Sequence, residues 1–264
     1  MDAHLPPSST LAADAQLYVA LDNAFYRRRP EALAALARLP IGFKVGMEAF
    51  YEAGWPLVAQ LGQMAQRPVF LDLKLHDIPN TVAQASRALV RHGARCFNVH
   101  ALGGSDMMRA ALEGAQQGLA DVGMAPEAGE LRILAVTILT SHTPASWQQI
   151  MGQQANVVPD LNERVGALAQ LAKRSGLHGV VCSAQEAASV RAACGPNFSI
   201  VTPGIRLPED ATDDQQRIVT PEAARAAGAD WLVVGRPITA ADDPMAACQR
   251  FLSALGFVTQ APFC

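Results

Sequence analysis

Five charged side chains stand where apolar residues would serve a strand better. In FLDLKLHDIPNTV, residues 70–82, Asp72, Lys74 and Asp77 interrupt a run rich in leucine, and Asp22 and Lys44 sit in two earlier runs of the same β type. Ionised groups in a low-dielectric interior are costly unless paired, so such a set is either a structural ion-pair network or a site that does chemistry. An alternating cluster of three carboxylates and two ammoniums favours the second. A second set has the chemistry of anion binding. TPGIR (202–206) and VVGRPI (233–238) each carry a glycine and an arginine at the end of a β-type run, Gly204 with Arg206 and Gly235 with Arg236. Glycine lets the backbone approach a ligand, and the guanidinium forks onto phosphate oxygens, so a phosphate-bearing substrate is expected. His76, His100 and His142 follow or end such runs too, but none forms an H-x-x-x-H or mixed Cys/His spacing. Hydrogen-bonded structural roles are expected for them, and no metal site.

These residues need elements that bring strand ends together. Eight β-type runs, at 16–22, 42–47, 68–75, 96–102, 132–139, 179–183, 199–204 and 231–237, alternate with helix-like segments such as PEALAALARL and NERVGALAQLAKRSG. Eight βα units in a chain of 264 residues predict one single-domain (β/α)8 TIM barrel. An open doubly wound sheet binding a dinucleotide would bring a G-x-G-x-x-G turn after its first strand, and ALDNAFYRRR has none. Strand residues two apart share a face, so Asp72, Lys74 and His76 are expected to point one way while Leu71, Leu73 and Leu75 pack under the outer helices. The charged set would then face the C-terminal mouth of the barrel, with Thr140 and Ser141 after the fifth strand. The two Gly-Arg pairs would follow strands seven and eight, where this fold frequently binds phosphate.

The remaining bounds are broad. Half of the residues are hydrophobic, and a net charge of -3 with scattered Lys and Arg excludes a basic face for nucleic acid. Five cysteines without a C-x-x-C pair fit reduced thiols in a cytoplasmic protein. The opening MDAHLPPSSTLAADAQ does not read as a secretory signal, and no run of about 18 apolar residues suggests a membrane span. Residues 1–15 read as a loose N-terminal tail, 16–264 as the barrel, and the segment 119–132 as a solvated loop before strand five.

The motifs LDLKLHDIP with its D-x-K-x-x-D core, FKVGME, VTILTS, VTPGIR, DDQQR and VVGRPIT, in this order between about Leu17 and Leu255, closely resemble the bacterial type of the orotidine 5'-phosphate decarboxylase family. D-x-K-x-x-D alone is shared with related sugar-phosphate lyases and synthases; the combination is specific. The resemblance implies decarboxylation of orotidine 5'-phosphate to uridine 5'-phosphate without cofactor or metal, in a homodimer with shared active sites. It also implies roles. Asp22 and Lys44 would contact the ribose, Asp72 would face the substrate carboxylate, and Lys74 would protonate the ring carbon. Asp77 and Thr81 would reach into the neighbouring subunit's site, and Thr140 would lie near the base. Arg206, Gln215, Arg236 and the backbone of Gly235 would hold the phosphate, under a polar lid formed by the loop 205–219. Two competing readings stay open on the residues. One is a metal-dependent keto-sugar-phosphate decarboxylase or synthase of the same superfamily, which needs a carboxylate where Lys44 stands. The other is a non-catalytic nucleotide-phosphate sensor, which gives no reason for Lys74 between aspartates.

Overall fold

Short apolar runs buried on both faces suit a parallel sheet, with helices returning the chain along the outside. The computed structural model, which describes residues 16–22, 25–125, 131–152, 160–208 and 219–257, has this form. The first half runs β1 (Leu17–Leu21), α1 (Phe25–Arg28), α2 (Pro30–Leu36), β2 (Gly42–Gly46), α3 (Met47–Ala65), β3 (Phe70–Leu75), α4 (Pro79–Arg91), β4 (Cys96–His100) and α5 (Gly104–Asp121). The second runs β5 (Arg132–Val136), α6 (Pro144–Ile150), α7 (Leu161–Arg174), β6 (Gly179–Val181), α8 (Ala184–Cys194), β7 (Ser199–Thr202), α9 (Pro221–Ala226), β8 (Trp231–Val234), α10 (Arg236–Thr239) and α11 (Pro244–Ala254). The eight strands close in sequence order into a parallel barrel, so the (β/α)8 reading holds and each expected strand lies where its run was found. Helix starts follow local chemistry. Thr143, Asp160, Ser183, Thr220 and Asp243 cap first-turn N–H groups with side-chain oxygens, and proline occupies the opening turn of α2, α4, α6, α9 and α11.

Alternate strand residues divide into two cores. Leu17, Val19, Leu71, Leu73, Phe97 and Val99 belong to the large outer core under the helices. Tyr18, Ala20, Phe70, Cys96, Leu134, Val201, Trp231 and Val233 fill the barrel's interior. The Tyr18 ring lies 5.2 Å from that of Trp231 and 6.1 Å from that of Phe70. Gly42 leaves room for this packing, since a Cβ there would come within 2.5 Å of the Tyr18 ring. Two residues further along the same faces stand Asp22, Lys44, Asp72 and Asn98. The apolar floor thus places the polar layer at the C-terminal mouth.

One expectation needs correcting. The segment 119–132 does not begin as a loop: α5 continues to Asp121, because Leu119 extends its apolar stripe of Met108, Ala111 and Ala115 and is itself buried. Residues 126–130 lie outside the described residues, as do the N-terminal 1–15 and Cys264. The other four cysteines are buried thiols outside any disulfide, and no helix among the described residues is long and apolar enough to cross a membrane.

At the opposite rim one side chain gathers the turns before two strands. Arg191 of α8 donates to the carbonyls of Gly195 at 2.8 Å, Pro196 at 3.0 Å, Phe198 at 2.8 Å and Gly228 at 2.9 Å, and to Asp230 Oδ2 at 2.6 Å. Asp230 Oδ2 also accepts the N–H of Ile200, so the guanidinium ties the turns before β7 and β8 together. Arg191→Ala should cost about 2–4 kcal/mol, because it leaves four carbonyls and a half-buried carboxylate to find other partners. In a domain of this size a thermal scan should show the midpoint falling by roughly 5–15 °C; an unchanged midpoint would mean that water replaces these bonds without cost.

Candidate active site

The alternation expected for β3 is broken, and the break forms the site. Leu71 pairs with Phe97 and Leu75 with Val99, so Asp72, Leu73 and Lys74 stand opposite Asn98 alone. Lys74 has φ 51°, a left-handed conformation uncommon for a residue with a side chain, and its N–H donates to Asn98 Oδ1 at 2.7 Å instead of to a strand carbonyl. Asp72 and Lys74 do converge as expected, but through this bulge and not through regular pleating. His76, expected on the same face, is exposed beyond the strand end.

Asp72 is the centre of the cluster. Lys44 Nζ lies 3.0 Å from its Oδ2 and Lys74 Nζ 2.7 Å from its Oδ1, while Asn98 Nδ2 donates to Oδ1 at 2.7 Å. The three ionised side chains are only 14–28% exposed. Burial would raise the Asp72 carboxyl, but the charges of Lys44 and Lys74 and the hydrogen bonds from Lys74 and Asn98 outweigh it and hold the group well below the usual carboxylate range. The arrangement is a fixed negative charge clamped by two ammoniums, one of which stands at the open mouth. Asn98 is fully buried, and sequence reasoning passed over it. Its signal was a lone amide within the apolar run CFNVHAL.

The other expected residues distribute around this centre. Asp22 accepts from Thr239 Oγ1 at 3.1 Å, and a Cβ on Gly235 would sit 3.1 Å from Asp22 Oδ2, close enough that the carboxylate would have to shift by a few tenths of an ångström. Arg236 opens α10 directly after Gly235 and is half-buried. Arg206 is 5% exposed; its N–H bonds the Val219 carbonyl at 3.2 Å, and Ile205 bridges Val219, which fastens together the two ends of the loop 205–219. Gln215 and the greater part of that loop lie outside the described residues. Thr140 follows β5, half-buried at the same mouth. Asp77 does not join the Lys44–Asp72–Lys74 cluster within this chain. It is exposed, and its Oδ1 accepts the N–H of Ile78 at 2.7 Å; Thr81, one turn into α4, is exposed as well.

The histidines line the rim. His76 and His100 stack with ring centroids 5.2 Å apart, His100 Nδ1 accepts the N–H of Leu102 at 3.3 Å, and His142 Nδ1 lies 3.2 Å from Ser146 Oγ. Burial, with the charges of His76, Lys74 and His142, lowers the His100 pKa to about 4, so the ring is neutral near pH 7. Two open cavities of about 480 and 580 Å³ lie at the opposite end of the barrel, around Arg132 and His178 and around Arg191 and Arg225. The C-terminal mouth, with its clamped carboxylate, remains the place where chemistry can be done.

A closed parallel barrel whose strand ends present fixed, opposed charges at the C-terminal mouth places the molecule among the (β/α)8-barrel enzymes. Residues 15–251 match the model of the Orotidine 5'-phosphate decarboxylase / HUMPS family, and the chain belongs to that family. It is 47% identical, over 88% of its length and 91% of the relative's, to an orotidine 5'-phosphate decarboxylase of Bacillus caldolyticus. To that of Paramagnetospirillum magneticum it is 45% identical, over 91% and 98% of the two chains. Among solved structures, orotidine 5'-phosphate decarboxylase from Lactobacillus acidophilus superposes with a TM-score of 0.73 at 36% identity, covering 92% of this chain and all of that one.

Proposed function

We propose that the protein decarboxylates orotidine 5'-phosphate to uridine 5'-phosphate and carbon dioxide, the last step of pyrimidine nucleotide synthesis, using no cofactor. The reading is carried by the clamp of Asp72 between Lys44 and Lys74 at the barrel mouth, in a chain nearly half identical to enzymes of that name. Losing carbon dioxide from a ring carbon with no electron sink leaves a localised carbanion, so negative charge must be stabilised where it forms and then protonated. Lys74 does both. One ammonium about 4 Å away is worth roughly 4 kcal/mol at an effective dielectric of about 20, or about three powers of ten in rate. Asp72 faces the departing carboxylate, Asp22 and Lys44 hold the ribose, and Thr140 lies by the base. Phosphate binding through Arg206, Arg236, Gln215 and the Gly235 backbone supplies further energy to the transition state. The metal-dependent alternative is disfavoured by Lys44, since an ammonium there repels the ion.

The deciding experiment follows the ultraviolet absorbance of orotidine 5'-phosphate mixed with purified protein in EDTA. Steady loss of the substrate band is expected. A flat trace would overturn the reading, and activity that needs added Mg²⁺ would favour the alternative.

Arg236→Ala tests the phosphate assignment. Removing a charge-assisted contact should weaken uridine 5'-phosphate binding and lower kcat/KM by about 10- to 100-fold, while the already poor turnover of the phosphate-free nucleoside holds. Equal losses on both substrates would place Arg236 at the reacting end or in the fold.

We also propose that the protein works as a homodimer in the cytoplasm, with Asp77 and Thr81 completing the neighbouring subunit's site. In support, the segments after the adjacent strands β2, β3 and β4 expose Met47, Tyr51, Ile78 and Leu102, with Tyr51 77% and Ile78 66% accessible. Clustered apolar exposure of this kind suits a protein contact. Asp77 and Thr81 stand on the same rim.

A further inference from the structure

We infer that Asn98 is the positioning residue that sets where Lys74 holds its proton. The inference rests on the decarboxylase reading and specifies how the site is kept in register. Opposite Asn98, the third strand carries two more residues than the fourth, so the regular ladder cannot satisfy the N–H of Lys74. The side-chain oxygen of Asn98 takes that N–H at 2.7 Å, and its amide nitrogen donates to Asp72 at 2.7 Å. One fully buried amide therefore fixes both the backbone from which the Lys74 ammonium extends and the carboxylate that ammonium contacts.

Both bonds are directional. The oxygen must face Lys74 and the nitrogen Asp72, because a flipped amide would set donor against donor and acceptor against carboxylate. The left-handed turn at Lys74 costs on the order of 1–3 kcal/mol and persists only where surrounding groups enforce it. Without Asn98 the bulge has no acceptor for its N–H, and Asp72 loses one of its partners. The lysine can then relax towards an ordinary strand conformation that moves its ammonium off the ring carbon. Asn98 touches neither the ribose nor the phosphate contacts proposed above, so ground-state binding should survive its loss.

Two variants test this, measured beside the unaltered protein. Asn98→Ala removes both bonds, and kcat should fall about 10- to 100-fold while KM and the affinity for uridine 5'-phosphate hold. Asn98→Asp keeps the shape and the acceptor for Lys74 but faces Asp72 with a second carboxyl. The two can share a proton at low pH and repel once both ionise, with Lys44, Lys74 and His100 the other titratable groups nearby. Its activity relative to the unaltered protein should therefore be greatest at the acid end and fall as pH rises, with circular dichroism unchanged across the range. The inference is overturned if kcat is unaffected, if nucleotide affinity falls as far as kcat, or if the relative activity of Asn98→Asp is flat with pH. Should Asn98→Ala fail to fold, the pH profile of the isosteric Asn98→Asp decides alone. A protein whose unaltered form leaves orotidine 5'-phosphate intact would instead overturn the decarboxylase reading itself.

Discussion

Lys74→Ala should lower kcat for orotidine 5'-phosphate by at least about three powers of ten, the worth of one ammonium beside the developing carbanion. The loss should exceed this if Lys74 is, as proposed, also the proton donor, since donor and charge disappear together. The fold should survive. Lys74 is part-exposed at the mouth and contributes little to either core, while Asp72 keeps Lys44 and Asn98 as partners. Alanine bears the left-handed φ of 51° no worse than lysine, since both carry a Cβ. The measurement is a single-turnover assay with circular dichroism and uridine 5'-phosphate binding as controls. Retention of a tenth of the rate would remove Lys74 from the proton-donor role.

Asp77→Asn should be comparably inactive, and the mixture of the two inactive variants should recover activity. Asp77 stands three residues beyond Lys74, next to a helix start where a carboxylate could serve only its own helix. The N-cap residue of α4 is Ile78, without a side-chain cap, and the bond that Asp77 makes is to the N–H of Ile78 itself. Such a bond is available to many turn residues and does not by itself require an aspartate. If Asp77 acts across a two-fold interface, a mixed dimer of Lys74→Ala and Asp77→Asn subunits holds one site with both defects and one with neither. Activity then reappears on subunit exchange, approaching a quarter of normal at equal mixing if subunits pair at random and sites act independently. If Asp77 serves its own chain, every site carries a defect and the mixture stays inactive.

The barrel and the membership of its charged mouth were legible in the sequence because both rest on local patterns. Each strand is a short β-type run, and Lys44, Asp72 and Lys74 interrupt such runs while Asp22 follows the first of them. What was not legible depends on strands meeting. L-D-L-K-L-H reads as regular alternation, and only pairing with the shorter fourth strand exposes the two-residue surplus that turns Lys74 left-handed. Asn98 is one amide in an apolar run, and its meaning comes from a backbone 24 residues earlier. Arg191 is ordinary within α8 until the turns it gathers, up to 39 residues away, are folded around it. Asp77 reads from its place at a strand end as one of the same charged cluster, but within its own chain it stands exposed on the rim, bonded to the N–H of Ile78.

The packed rings of Tyr18, Phe70 and Trp231 make the barrel a blind pit. Nothing can cross from one rim to the other through a core filled to this depth. Nucleotide entry, proton delivery and gas escape all share one doorway, so on the proposed phosphate assignment carbon dioxide has to pass the same rim as the phosphate end of its own sister product. The traffic through the molecule is one-sided, and whatever narrows that doorway slows every passenger alike.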